Sequence, residues 1–204
     1  MNSLYRLRKR EISKAGDVLA DAFLNDPVWT KAFEGEADFD KKFKSFSETP
    51  LRYALKYGEV YASSECLEGV AALVPGHLAE MTPWRMLLSS SMITGIRMGS
   101  VASKRLMPLW LVMSHHRKEI TAGKDFLYLM IIGVASKFQK QGYGKKLLNS
   151  IIRKSESEGK MIYLETETEE NVAIYEKFGF EVVKKFTVPI FELPMWIMIR
   201  QPRG

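Results

Sequence analysis

The chain has 204 residues, 46% hydrophobic and 26% charged, with 30 Lys and Arg against 24 Asp and Glu for a formal charge of +6. That length holds one large domain or at most two small ones, and the balance sets aside disordered, collagen-like and disulfide-scaffold classes. A lone cysteine, Cys66, forbids an internal disulfide and suits a reducing compartment. The longest apolar runs, Leu106–Met113 and Phe126–Ala135, are far short of the ~20 residues of a membrane helix. The opening Met1–Arg8 lacks the apolar core of a signal peptide. A cytoplasmic protein with no membrane partner is expected.

In chain order, Leu4–Arg10 alternates apolar and basic residues and predicts a first strand. Ser13 is a candidate N-cap for a helix running to about Leu24, stopped by Asn25-Asp26-Pro27 because the residue before proline disfavours helix. A short helical piece follows over Val28–Phe33. Asp38–Lys56 has helical period, with Phe39, Phe43, Phe46, Leu51 and Leu55 on one side and a bend expected at Pro50. Glu59–Ser63 and Gly69–Val74 read as a hairpin. Residues 77–120 carry helical patterning rich in methionine, opened by Thr82-Pro83 as N-cap and N1, and predict a helical pair.

Phe126–Val134 is an almost wholly apolar run rich in strand formers. After it, Gln139-Lys140-Gln141-Gly142-Tyr143-Gly144 leads into a helix with Tyr143, Leu147, Leu148, Ile151 and Ile152 on one stripe. A strand, a turn with two glycines and a helix N-terminus make an anion site, because the first helical N–H groups lack internal partners and the helix dipole is positive there. Lys140, Lys145 and Lys146 add positive charge. Neither a Walker loop nor a Rossmann loop fits: Lys146 stands where the first needs Ser or Thr, and Leu147 where the second needs glycine. Met161–Leu164 reads as another buried strand, followed by the acidic Glu165-Thr166-Glu167-Thr168-Glu169-Glu170. Asn171–Gly179 then reads as a short helix with Asn171 as N-cap and glycine at its end, so Asn171 and Tyr175 share a face. Phe180–Thr187 and Met195–Ile199 are paired strands across Val188–Pro194.

Two motifs, Gln139-x-x-Gly142-x-Gly144 after a strand and Asn171-x-x-x-Tyr175-x-x-x-Gly179-Phe180 downstream, together resemble the GCN5-related N-acetyltransferase (GNAT) superfamily over roughly residues 126–200. The resemblance implies one acetyltransferase domain over 1–204, of α/β (α+β) class. Its central sheet would be mixed and mostly antiparallel, flanked by helices, with 77–120 an insert between strands 3 and 4 and a cofactor core at about 126–180. It implies acetyl-coenzyme A as cofactor. Gln139, Lys140, Gln141, Gly142, Tyr143, Gly144 and Lys145 would line the pyrophosphate cradle. Backbone groups of Ile132, Gly133 and Val134 would pair with the pantetheine arm, and Asn171 and Tyr175 would reach the cofactor. The Asp26-Pro27-Val28-Trp29 segment, the insert and Leu164-Glu165-Thr166 together resemble the puromycin-acetyltransferase-like branch.

The implied reaction is acetyl transfer to a primary amine of a small molecule by direct attack. Tyr175 is the candidate acid for the leaving sulfur. Glu165, at the end of its strand, is the candidate base or substrate anchor, with Tyr128 next and His116 a further possibility for the base. Glu167, Glu169 and Glu170 read as a solvated acidic run. The insert's methionines either pack as extra core or line the acceptor pocket. Trp196 is a candidate for its border. No metal is expected, since His77, His115 and His116 have no familiar ligand spacing. The basic residues are scattered, so no nucleic-acid partner is expected, and a monomer or homodimer fits equally. The alternatives are a coenzyme A-binding protein without catalysis and a basic nucleic-acid- or partner-binding domain.

Overall fold

The computed structural model describes residues 4–188 and 191–203. Met1–Ser3 of the opening segment, Pro189 and Ile190 of the last connector, and Gly204 lie outside these described residues. Its core is a seven-stranded sheet ordered β1-β2-β3-β4-β5-β7-β6. The strands are β1 (Tyr5–Arg6), β2 (Glu59–Ala62), β3 (Gly69–Pro75), β4 (Phe126–Val134), β5 (Met161–Thr166), β6 (Glu181–Val188) and β7 (Leu193–Arg200). Only β4 and β5 run parallel; every other neighbouring pair is antiparallel. This is the mixed, mostly antiparallel sheet expected from the sequence.

Strand alternation sorts side chains onto two faces. On one, Tyr128 of β4 and Tyr163 of β5 join Ala15 and Leu19 of α1 (Ile12–Ala22) and Leu51, Tyr53 and Ala54 of α3 (Phe39–Tyr57). On the other, Leu129, Ile162 and Leu164 meet Leu147, Leu148, Ile151 and Ile152 of α7 (Tyr143–Glu158). The stripe read from the sequence is therefore the buried face of α7.

The insert forms three helices rather than a pair: α4 (Pro83–Leu88), α5 (Ser91–Arg97) and α6 (Ser100–Ile120). Thr82 caps α4 through its hydroxyl, which accepts from the Arg85 N–H at 3.4 Å. Ala102, Leu106 and Leu109 of α6 pack against Val28 of α2 (Pro27–Ala32) and Phe33, Phe43 and Phe46. Ser91 and Thr94 of α5 bond to Thr49 of α3 at 3.1 and 2.9 Å. One side of the insert is thus extra core. Its other side leaves Trp84 65% and Ile96 74% exposed, together with Leu87, Leu88, Ile93, Val101, Met107, Trp110 and Leu111. The exposed apolar set is mostly Trp, Leu and Ile, whereas Met98 is buried, in keeping with the core alternative for that methionine.

Several boundaries move for local reasons. The first strand shrinks to Tyr5–Arg6 because Glu11 accepts from the Arg8 N–H at 2.8 Å and the Tyr5 hydroxyl at 2.7 Å, folding Lys9–Glu11 into a 3-10 turn. That turn runs into α1, so Ser13 lies inside the helix and caps nothing. Asp26 caps α2 instead, Oδ1 accepting from Val28 and Trp29 at 3.0 and 3.2 Å. The α3 helix continues through Pro50. Strand β5 extends to Thr166, held by pairing with β7. Asn171 is not the cap of α8 (Glu169–Glu176): Thr168 is, its hydroxyl accepting from the Asn171 N–H at 3.2 Å. Thr168→Ala is expected to cost about 1 kcal/mol, seen as a fall in Tm of roughly 2–4 °C. An unchanged Tm would show that this bond adds nothing to α8.

Candidate active site

Strands β4 and β5 pair only at Phe126–Met161, Leu127–Ile162 and Tyr128–Tyr163. Beyond that point β4 stays with β3 as far as Val134, whereas β5 follows β7 to Thr166. The parting begins beside a bulge: Ala72 pairs with Ile131 and Leu73 with Leu129, leaving Met130 as the extra residue. Past the bulge, the β4 edge that faced β5 has no strand partner, and its residues Met130–Val134 are half-buried. Unpaired backbone groups in a cleft seek hydrogen-bond partners, so this edge suits an extended ligand. Ile132, Gly133 and Val134 lie on it. Gly133 also has a packing reason to be glycine, since a Cβ there would come within 3.0 Å of Ala22 and Leu19.

The loop after β4 ends at the N-terminus of α7. Gly142 is the N-cap at φ +89°, Lys140 is also left-handed at φ +61°, and no side chain caps the first turn. A Cβ on Gly142 would meet nothing within 4 Å, and one on Gly144 only a Val134 methyl at 3.6 Å. Folding therefore does not require glycine at 144. A ligand lying against the amides would, because a side chain would fill its space. On that ground the residues present fit the pyrophosphate of acetyl-coenzyme A. Gln139 and Gln141 are exposed and bond back to their own loop, their side-chain amides donating to the carbonyls of Val134 at 3.2 Å and Lys137 at 2.9 Å. Lys140 and Lys145 are exposed beside Tyr143. Lys146 is not mobile charge: its ammonium donates to the Ser63 carbonyl at 2.5 Å. Gly144→Val is expected to leave Tm nearly unchanged and weaken acetyl-coenzyme A binding about tenfold, roughly 1.4 kcal/mol. Calorimetric titration checks this, and equal affinity would remove the cradle.

On the same face as α7, Tyr175 of α8 packs tilted on Phe180, ring centres 5.5 Å apart. Burial, and then the negative charge of Glu167, push its hydroxyl well above the ordinary tyrosine range, so it stays a neutral donor. Asn171 is half-buried one turn earlier.

The opposite face holds a charged cluster. Arg117, near the end of α6, donates to Glu165 at 3.1 Å and to Glu80 at 2.9 Å, and lies 4.7 Å over the Tyr128 ring. Burial raises the Glu165 carboxyl, and the Arg117 charge is the main force against that rise. Tyr128 and Tyr163 lie edge to face at 5.7 Å, and the Tyr163 hydroxyl is buried without a partner. Burial pushes the Tyr128 phenol well up, so it keeps its proton and is suited to donating rather than accepting one. Two residues past Glu165, burial and then the charge of Asp26 push Glu167 well above the carboxylate range. Burial raises Asp26 too, against the pull of the N–H groups it caps.

The structure thus joins Glu165 and Tyr128 around Arg117, and sets Tyr175 near Glu167. Arg117, Glu80, Tyr163 and Glu167 escaped the sequence reading. The period of two along β5 places Tyr163 and Glu165 on one face and signalled their company; nothing local signalled Arg117 or Glu80. Trp196 is buried on the α7 face under Lys185, away from the charged cluster. His116 packs against Phe186 and contacts Glu119 at 3.4 Å. His115, His116 and Glu119 bring ligand atoms within 4.8 Å of one another, but Lys184 already holds Glu119 at 3.0 Å. No helix among the described residues is long and apolar enough to cross a membrane.

The family model described as "Acetyltransferase (GNAT) domain" matches residues 111–182. An uncharacterised N-acetyltransferase of Schizosaccharomyces pombe is 28% identical over 205 residues, spanning 97% of this chain and 82% of that protein. N-alpha-acetyltransferase 50 of Danio rerio is 36% identical over 62 residues, 28% of this chain and 37% of that one. The crystal structure of a histone acetyltransferase HPA2 and related acetyltransferase from Corynebacterium glutamicum superposes with a TM-score of 0.69 at 19% identity, covering 99% of this chain and 97% of that one. Residues 111–182 thus match a GNAT acetyltransferase domain, and the chain is similar over nearly its whole length to an N-acetyltransferase and in fold to an acetyltransferase structure.

Proposed function

We propose that the chain acetylates the primary amine of a small, partly apolar molecule by direct attack, with no covalent enzyme intermediate. The two-faced gap between β4 and β5 carries this reading. The cradle and Tyr175 lie on the α7 face, Glu165 and its cluster on the other, and β4 and β5 stop pairing between them. An acetyl donor and an acceptor amine entering from opposite sides meet there.

When bound, acetyl-coenzyme A supplies an activated acetyl thioester. The amides at Gly142–Lys145 and the ammonium groups of Lys140 and Lys145 hold its pyrophosphate, with Gln139 and Gln141 closing the loop and Tyr143 flanking it. The β4 edge at Ile132, Gly133 and Val134 aligns the arm, and Asn171 contacts it. Tyr175 holds the proton that the leaving sulfur needs. Glu165, ion-paired with Arg117, anchors the acceptor's ammonium, with the protonated Tyr128 beside it. A lysine-like amine is uncharged in only about 1 in 1,000 molecules at neutral pH. A base is therefore valuable, ~10²–10⁴-fold. Glu167, whose burial raises its affinity for a proton, is better suited to that task than the ion-paired Glu165.

Trp84, Leu87 and Leu88 are exposed on α4, the helix that follows Glu80 in the chain, and are available to an apolar acceptor group. This supports an acceptor with an apolar portion, and with the Asp26-Pro27 segment it supports the puromycin-acetyltransferase-like branch. A cytoplasmic monomer or homodimer completes the proposal. The test is release of coenzyme A thiol with aminonucleosides, aminoglycosides, polyamines, amino acids and short peptides. A small amine should give turnover. Turnover on peptides alone would overturn the acceptor class, and acetyl-coenzyme A binding without turnover on any amine would favour a non-catalytic protein.

A further inference from the structure

We propose that Arg117 is a positioning residue for acceptor binding: it ties both ends of the insert to β5 and holds Glu165 as a charged anchor. This rests on the reading of Glu165 as the anchor. Arg117 is 7% exposed, and its guanidinium links three separate segments. Nη2 donates to Glu80 Oε1, just before α4; Nη1 donates to Glu165 Oε1, at the end of β5; and Arg117 itself belongs to α6.

The two carboxylates are supported unequally. Glu80 Oε2 also accepts from the Ser114 hydroxyl at 2.6 Å and lies 3.5 Å from the exposed Lys118. Its carbonyl is fixed separately, accepting from the Tyr53 hydroxyl at 2.9 Å and from Arg85 at 3.1 Å. Glu165 has Arg117 as its single ion-pair partner among the described residues, through Oε1. The other groups facing it are the Tyr128 and Tyr163 phenols and the acids Glu80 and Glu167. Glu80 is thus satisfied several times over. Glu165 can take a second cation, and a buried Arg Nε and Tyr163 Oη remain without partners around it. A network serving stability alone leaves few such atoms. An incoming ammonium would donate to the second Glu165 oxygen and to Tyr163 Oη, while the Arg117 Nε–H would need an acceptor group of the same ligand.

The test measures acceptor KM, kcat and acetyl-coenzyme A Kd across pH for Arg117→Met, Arg117→Lys, Glu80→Gln and Glu165→Gln. Arg117→Met should raise acceptor KM about tenfold or more, the scale of one charge-assisted bond. Acetyl-coenzyme A Kd should hold within about twofold, since Arg117 is remote from the cradle. The KM rise should steepen as pH falls, because Glu165 without its partner takes up a proton at higher pH. Arg117→Lys should recover most of the loss, and Glu80→Gln, which weakens one of the two carboxylate contacts of Arg117 but leaves the one to Glu165, should raise KM less than Arg117→Met does. If Arg117→Met does not fold, Arg117→Lys carries the test by moving the pH midpoint of acceptor KM. A lower Tm with acceptor KM and its pH dependence unmoved would overturn the proposal. If Glu165→Gln raises KM and the Arg117 variants do not, the role of Arg117 alone fails. If Glu165→Gln leaves KM unchanged, the anchor reading itself fails.

Discussion

Tyr175→Phe lowers kcat by about two orders of magnitude, within the ~10²–10⁴-fold range of a positioned acid, and leaves acetyl-coenzyme A Kd within a few-fold. The phenyl ring keeps its packing on Phe180 and its place in the α7-side core, so folding should change little. What goes is one O–H. Burial and the nearby Glu167 charge hold that hydroxyl well above the ordinary tyrosine range, so it carries its proton throughout the physiological interval. A phenol in this state can donate to a leaving sulfur but cannot serve as a base. The pH profile of the variant should therefore keep its acidic limb and lose only height. Steady-state kinetics with calorimetric binding decides the matter. Turnover within a few-fold of the parent would take the acid role from Tyr175, and a large rise in acetyl-coenzyme A Kd would make it a binding residue.

The elements legible in the sequence are those whose pattern and packing agree. Phe126–Val134 was readable to the residue because an unbroken apolar run can be buried on both faces. The α7 stripe was readable because Leu147, Leu148, Ile151 and Ile152 recur at helical spacing over a single core. The glycine turn before α7 is readable because it is local chain chemistry: glycines at 142 and 144 directly before a helix. Pieces that depend on distant partners were not. The first strand is shorter than its alternation predicts because Glu11 draws the chain into a turn after Arg8. The acidic run looked solvated, and for Glu169 and Glu170 that holds. For Glu167 it fails, because burial pushes its carboxyl well up; Glu165, read as a site candidate, is held at the end of β5 by pairing with β7, where Arg117 arrives from 48 residues away to meet it. Long-range ion pairs leave no periodic trace, so the turn before α7 is more legible in the sequence than the Arg117 cluster.

Glu167→Gln is expected to act in opposite directions on rate and stability. Removing the base should lower kcat/KM about a hundredfold, again within the ~10²–10⁴-fold range. The acidic limb of the profile should disappear with it. Its sign follows from the shift: Glu167 holds its proton to a higher pH than a free carboxyl does, so activity that needs the carboxylate rises as pH climbs through that raised value. The same shift sets the stability effect. The folded chain binds this proton more tightly than the unfolded chain, so Glu167 costs stability as pH rises from the unfolded value, about 4.3, through the folded one. Glutamine carries no charge to bury beside Asp26. The variant should therefore melt higher than the parent at pH 7–8, by roughly 2–4 °C for each kcal/mol relieved, and the advantage should vanish near pH 4. Thermal melts at the two pH values, run beside kinetics on the same preparation, separate the effects. A slower enzyme with no gain in Tm at neutral pH would mean that water reaches Glu167 and that its carboxylate is not strained. A more stable enzyme with unchanged kcat/KM would return the base role to Glu165. Both effects together would show that the acid is kept at a cost to the fold because acetyl transfer needs it there.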